Sequence, residues 1–205
     1  PTYELLKLDF ETDLALADYI ASVDGIEINP GLNGGEVADG KWVYSGKSLA
    51  IKDDMGIYSL DYYSAEFDFC FNSYVNKNNT SISSLITDDD GTLNGESSFY
   101  VPLKMDMDGT VYHNSANNFK VQIEKGKTYH YKLEVNNKDQ KVSVYIDGDL
   151  LVSPSYKQEP RDYQCYRFMD NSRGADMWVD NVVIIDTGAA MNASTDRLAK
   201  AVDGA

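Results

Sequence analysis

Glu66 and Asp68 are the residues whose types and spacing come closest to a chemical motif. They lie within Asp61–Phe71, where apolar and polar residues alternate as in a half-buried β-strand. Side chains two positions apart in a strand point to the same face, so we expect both carboxylates on one surface. Glycoside hydrolysis uses two such groups, one as the acid and the other as the nucleophile or base.

Catalysis by a nucleophilic triad has no support in this sequence. The chain has no Gly-x-Ser-x-Gly elbow, and its two histidines are His113 and His130. His130 lies between Tyr129 and Tyr131, which the strand pattern directs into the core. We therefore predict that His130 is a histidine of the sheet surface rather than a catalytic one.

The stretch Tyr129–Val152 organises the elements that must position these residues. Two runs, 129–135 and 142–146, alternate strictly between apolar and polar residues, as half-buried strands do. Residues 136–140 form a polar, turn-rich connection that predicts an antiparallel hairpin. Asp147-Gly148 predicts a second tight turn, leading into Leu150–Val152.

Short, turn-punctuated strands recur along the rest of the chain, which is typical of a sandwich or barrel. Residues 12–40 read as irregular, with one or two helical turns at Leu14–Ile20. We predict one all-β domain over residues 1–187, and an Ala-rich helix or linker to a further module over residues 188–205. Further strands are predicted at Leu6–Phe10, Trp42–Tyr44, Ser48–Ile51, Ser81–Ile86, Ser98–Met105, Val111–His113, Phe119–Ile123, Tyr163–Met169 and Met177–Ile185.

Two strings of the sequence resemble a known fold family. The hairpin with its ending Val144–Val152, and the terminal string Trp178–Val183, resemble laminin-G-like, concanavalin A-like jelly rolls. The resemblance implies an all-β, two-sheet antiparallel jelly-roll sandwich. Lectins, carbohydrate-binding modules and some polysaccharide-degrading enzymes share that fold, so it does not by itself assign a function.

Enzymes of this fold provide a test of the carboxylate pair. Laminarinase-type hydrolases carry Glu-x-Asp-x-x-Glu or Glu-x-Asp-x-Glu on one strand. Glu66 and Asp68 begin that pattern, but Cys70 or Phe71 stands where its final Glu belongs. A retaining mechanism without one of its two carboxylates has no proton donor, which disfavours a glycosidase. A lyase that uses Tyr and His stays open.

Calcium is the cofactor that the resemblance implies. Sandwich modules of this kind often hold a structural calcium between a Glu near the first strand and an Asp of the last, which here nominates Asp9, Glu11 and Asp180. An EF-hand starting at Asp88 or Asp90 does not fit its template. The alternative to a calcium site is a solvated acidic rim.

The sugar-binding surface is expected on the strand faces opposite the core. A saccharide ring stacks on a flat aromatic side chain and hydrogen-bonds polar side chains at its edge. The alternative for the aromatic residues is cross-strand packing, and a register error of one residue would exchange the two faces. We expect stacking on Tyr100, Tyr145 and Trp178, and hydrogen bonds from Glu66, Asp68 and Arg167.

Composition excludes some classes of binding partner. The formal net charge of −15 argues against nucleic acid, whose phosphates require clusters of Lys and Arg. The sequence has no run of about 18 apolar residues, so it predicts no membrane-spanning helix. Cys70 and Cys165 form no metal motif, and either pair or remain reduced, with reduced thiols favoured. The chain begins without Met, which indicates a processed or trimmed segment.

Together these features predict a non-catalytic carbohydrate-binding or adhesion module. It would belong to a larger, multi-module bacterial protein that is secreted or on the cell surface, and would bind a polysaccharide or glycan. A glycosidase or lyase domain, and a structural or protein-interaction spacer, are the alternatives.

Overall fold

A computed structural model describes residues 3–23, 26–28, 35–45, 49–53, 60–88, 98–113, 120–152, 163–168 and 174–188 of the chain. These residues form two antiparallel sheets and one short helix, α1, at Leu16–Ala21. No helix among them is long and apolar enough to cross a membrane.

The first sheet has eight strands. They are β1 (Glu4–Leu8), β3 (Glu36–Ala38), β4 (Lys41–Ser45), β6 (Tyr62–Phe71), β11 (Tyr129–Asn136), β12 (Lys141–Ile146), β13 (Asp149–Val152) and β15 (Asp176–Asp186). The spatial order is β13-β12-β11-β6-β15-β4-β3, and β1 also pairs with β15.

The second sheet has seven strands. They are β2 (Ile26–Ile28), β5 (Leu49–Asp53), β7 (Thr80–Asp88), β8 (Ser98–Met105), β9 (Thr110–His113), β10 (Lys120–Gln122) and β14 (Tyr163–Phe168). Their order is β10-β9-β8-β7-β14-β5-β2.

The core lies between the sheets and follows from the alternation in the sequence. On β6 and β11 every second residue is buried, and aromatic rings pair across the two strands. Phe67 and Tyr131 have ring centroids 4.9 Å apart, and Phe69 stacks on Tyr129 at 5.7 Å. Leu103 of the second sheet belongs to the same cluster. The predicted two-sheet antiparallel sandwich is therefore confirmed.

The predicted hairpin is confirmed as well. β11 and β12 pair in register from Tyr131–Ile146 to Asn136–Lys141. Asp147 and Gly148 both have positive φ, at 51° and 82°, as a two-residue turn of the I′ type requires.

Two sequence expectations need correction. β2 and β3 lie within residues 12–40, which we expected to be irregular apart from a helical turn, and α1 is that turn. Ser64 and Cys70 lie on the same face of β6 as Glu66 and Asp68, yet both are only 3% exposed, so strict alternation between a buried and an exposed face does not hold along the whole of β6. The predicted helix or linker after Gly188 lies outside the described residues.

Candidate functional site

A bulge in β15 sets the geometry of the outer face of the first sheet, which is the face turned away from the core. Asp180 pairs with Asp68, but Val183 pairs with Glu66, so β15 carries one extra residue between these pairs. Asn181 takes a φ of 51°, a left-handed conformation that Asn tolerates better than most residues. Its side-chain amide donates to Asp68 Oδ2 at 2.9 Å, so the bulge brings a polar group onto that carboxylate.

His130 of β11 joins both carboxylates of β6. Its Nδ1 lies 2.7 Å from Asp68 Oδ1, and its Nε2 lies 3.0 Å from Glu66 Oε2. The backbone N–H of His130 donates to Asp147 Oδ1 at 2.8 Å, which ties the histidine to the turn after β12. Glu66, Asp68, His130, Asp180 and Asn181 are called the carboxylate cluster below.

The carboxylate cluster shifts the pKa values of His130 and Asp180. Burial alone lowers the pKa of His130, but the hydrogen bonds and negative charges of Asp68 and Glu66 outweigh burial and raise that pKa above its ordinary value. Burial raises the pKa of Asp180, and the nearby charges of Asp68 and Glu11 add to the rise. The surroundings therefore stabilise the protonated form of His130 and destabilise the ionised form of Asp180.

The geometry bears on the hydrolase motif. One imidazole engages both Glu66 and Asp68, through its two nitrogens. His130 thus occupies one oxygen of each carboxylate, Oε2 of Glu66 and Oδ1 of Asp68. His130 itself is a residue of the sheet surface, as its alternation between two buried tyrosines predicts.

The residues nominated for calcium lie around the start of the chain and the bulge. Asp9 accepts hydrogen bonds from Tyr19 Oη at 3.2 Å and from the Glu11 backbone N–H at 3.1 Å. Glu11 packs its carboxylate against Gly40, where an added Cβ would lie 2.5 Å from Oε1. Within the described ranges, no group of three or more His, Cys, Asp or Glu side chains is arranged to hold a metal ion. Calcium at Asp9, Glu11 and Asp180 stays a prediction.

Two of the nominated aromatic residues lie on the outer face of the first sheet. Trp178 is the cross-strand partner of Cys70, and Lys41 Nζ lies 5.2 Å from its ring centroid. Tyr145 donates its hydroxyl to Glu134 Oε2 at 3.2 Å. Glu66, Asp68 and His130 lie on β6 and β11, the two strands between those of Tyr145 and Trp178.

The other two nominated residues belong to the second sheet. Tyr100 is in β8 and Arg167 is in β14, and their side chains lie outside the described part. The expectation grouped them with residues of the first sheet, and the fold separates the two sets. Alternation within a strand shows which residues share its face, but it does not show to which sheet the strand belongs.

Comparison with known proteins gives a fold and no family assignment. No protein-family model matches the chain, and no curated protein matches it. The carbohydrate recognition domain of Emp47p superposes with a TM-score of 0.58, covering 90% of this chain and 95% of that domain at 11% identity. The potassium-bound carbohydrate recognition domain of Emp46p gives a TM-score of 0.57, with 90% and 96% covered at 14% identity. The fold is a concanavalin A-like jelly roll.

A sialidase also contains a similar fold. Trypanosoma rangeli sialidase in complex with 2,3-difluoro-KDN matches with a TM-score of 0.60 at 14% identity. The match covers 78% of this chain and 27% of the sialidase, so this chain spans about a quarter of that enzyme's length. At these identities the likeness concerns the fold alone.

Sequence reasoning missed a cleft at one end of the outer face of the jelly roll's first sheet. It has a volume of about 400 Å³. Its only sequence signal is that the polar positions of β11 and β12 face outward, which also holds for any solvated sheet. Its lining includes Tyr62, Glu134, Asn136, Lys141, Ser143 and Thr187, and it is called the Tyr62 cleft below.

Proposed function

We propose that this jelly roll is a carbohydrate-binding or adhesion module, which binds a polysaccharide or glycan without cleaving it. The observation that carries the proposal is the match along nearly the whole length of two carbohydrate recognition domains, at 95% and 96% of their chains. A fold hosts many functions, so the surface chemistry must supply the rest of the argument.

The outer face of the first sheet offers groups suited to a sugar. Tyr145 and Trp178 are half-buried aromatic side chains, and polar side chains of the carboxylate cluster lie between them. Aromatic rings pack against the C–H face of a sugar, and carboxylates accept hydrogen bonds from its hydroxyls. The other two nominated residues, Tyr100 in β8 and Arg167 in β14, make the second sheet the competing location.

Affinity electrophoresis in gels that contain soluble polysaccharides tests the proposal and distinguishes the faces. We expect retardation of the full chain in at least one polysaccharide. The variants Tyr145→Ala and Trp178→Ala should lose it if the first sheet binds, and Tyr100→Ala and Arg167→Ala should lose it if the second sheet binds. Thermal melting of each variant controls for folding. Retardation that is unchanged in all four variants would refute a role for the four nominated residues.

We also propose that the module belongs to a larger bacterial protein that is secreted or on the cell surface. We further propose that it contains a structural calcium at Asp9, Glu11 and Asp180. The support for calcium is the family resemblance, which implies a Glu near the first strand and an Asp of the last strand as ligands. We expect the melting temperature to fall by several degrees when a chelator is added and to recover with excess Ca²⁺. A melting temperature unmoved by the chelator would remove calcium from the account.

A further inference from the structure

The Tyr62 cleft lies where β6, β11 and β12 meet the end of β15. Its volume of about 400 Å³ is at the small end of ligand sites, which suits a single sugar unit and its neighbour rather than a buried polymer. Tyr63 and Val135 also line it, but their side chains are buried in the core. The accessible lining is therefore the ring of Tyr62 among polar and charged side chains.

Tyr62 supplies a positioned aromatic ring. It is half-buried, and a Cβ added to Gly188 would lie 3.2 Å from its Cδ2 atom. The backbone at Gly188 thus packs closely against the ring and limits its movement. A ring held in this way loses little entropy when it packs on the apolar face of a sugar.

Glu134 supplies a positioned acceptor. Lys132 Nζ lies 2.9 Å from its Oε1, and the Tyr145 hydroxyl donates to its Oε2 at 3.2 Å. A carboxylate has about four acceptor positions, so two remain for hydroxyl groups of a ligand. Ser143, directly opposite on β12, adds a hydroxyl to the same wall.

The charges around the cleft select among sugars. Among the residues that line the cleft, Glu134 is negative and Lys141 is positive, and Glu134 is also ion-paired with Lys132, so the lining itself does not repel an anion. The net charge of −15 on the whole chain does disfavour an anionic sugar. An uncharged sugar avoids that penalty, and two adjacent hydroxyls can each donate to one oxygen of Glu134.

We infer that the Tyr62 cleft binds an uncharged pyranose unit, which stacks on Tyr62 and hydrogen-bonds Glu134 through neighbouring hydroxyls. This inference rests on the proposed saccharide-binding function and names the place and the ligand class. It also explains why Lys132 and Tyr145 both hold Glu134, since they orient the acceptor before the ligand arrives.

Isothermal titration with a defined panel tests the inference. The probes are the glucose, galactose and mannose trisaccharides, with a glucuronic acid-containing trisaccharide as the anionic comparison. The full chain is titrated beside the variants Tyr62→Ala and Glu134→Gln. Tyr112→Ala, which removes a partly exposed tyrosine from β9 of the second sheet, is the matched control. Thermal melting verifies that each variant is folded.

We expect at least one neutral trisaccharide to bind, with at least tenfold weaker affinity in Tyr62→Ala and in Glu134→Gln, and within twofold of the native affinity in Tyr112→Ala. The glucuronic acid trisaccharide should bind at least tenfold more weakly than the neutral one. Neutral binding that survives both cleft variants would overturn the inference and leave the proposed function standing. Tighter binding of the anionic probe would overturn the ligand class, and no binding of any probe would count against the cleft and the function together.

Discussion

Replacing His130 by Gln tests the electrostatic reading of the carboxylate cluster. The imidazolium contacts Asp68 at 2.7 Å and Glu66 at 3.0 Å. Hydrogen bonds to charged groups contribute roughly 1.5–3 kcal/mol each when desolvated. The His130 side chain is 41% exposed, so solvent screening reduces each contact to the range of about 0.2–1 kcal/mol typical of exposed ion pairs. We expect the two contacts together to contribute about 0.4–2 kcal/mol.

The sign of the pH dependence follows from the raised pKa of His130. A group that binds its proton more tightly in the folded state adds stability that is fully present below its unfolded pKa of about 6.5. That stability is lost as the pH rises through the higher pKa of the folded state. The loss of stability in His130→Gln should therefore be largest near pH 5.5 and smallest near pH 9.

Thermal melting followed by circular dichroism measures the effect. For a domain of this size, 1 kcal/mol shifts the melting temperature by roughly 2–4 °C. We expect His130→Gln to melt about 1–8 °C below the native chain at pH 5.5, and to lose less than half of that amount at pH 9. A Glu66→Gln background is the control, because the effect should shrink when one partner is already neutral. An equal loss at both pH values would refute the charged His130.

Further predictions concern single residues. In the presence of a chelator, which removes any bound calcium, Asp180→Asn should raise the melting temperature at pH 7 and change it less at pH 3, because the raised pKa of Asp180 means that its charged form lowers the stability of the folded state. A lower melting temperature of the variant at pH 7 in chelator would contradict this. Cys70 should react with a thiol reagent only after unfolding, because it is 3% exposed and burial raises its pKa. Equal labelling rates in the native chain and in Cys70→Ser would confirm this prediction. Rapid additional labelling of the native chain would contradict it. Phe69→Ala should cost about 3–5 kcal/mol in denaturant unfolding, as large core truncations do; a loss below about 1 kcal/mol would contradict its central place in the core.

Much of the fold was predictable because alternation within strands and turn dipeptides are local features of the sequence. The alternation in β6, β11 and β12 assigns their buried faces, and the Asp147-Gly148 pair supplies the positive φ angles of the tight turn. Strands of three residues, such as β2 and β3, are too short to show alternation. Turn residues around them made the surrounding segment look irregular.

The sequence left open whether Cys70 and Cys165 form a disulfide, and the structure answers this for Cys70. Cys70 is a free thiol, which agrees with the favoured reduced state. The side chain of Cys165 lies outside the described part. Cys70 is buried beside Trp178, whose position follows from the pairing of β15 with β6.

The site was predictable only in part, because it depends on how strands pair. Glu66 and Asp68 were expected on one face, but their shared contact with His130 requires the register of β11 against β6. Asn181 reaches Asp68 through a one-residue bulge that no periodic pattern encodes. The separation of Tyr100 from the first sheet arises from the order of strands in space, which sequence spacing does not contain.

A glycan array probed with the full chain, followed by mass spectrometry of each bound glycan after prolonged incubation, tests the central claim most directly. The account predicts binding to a defined glycan whose mass stays unchanged. Shortened or unsaturated products would contradict the non-catalytic reading and favour a glycosidase or lyase. An array without any bound glycan would contradict saccharide binding and favour a structural spacer.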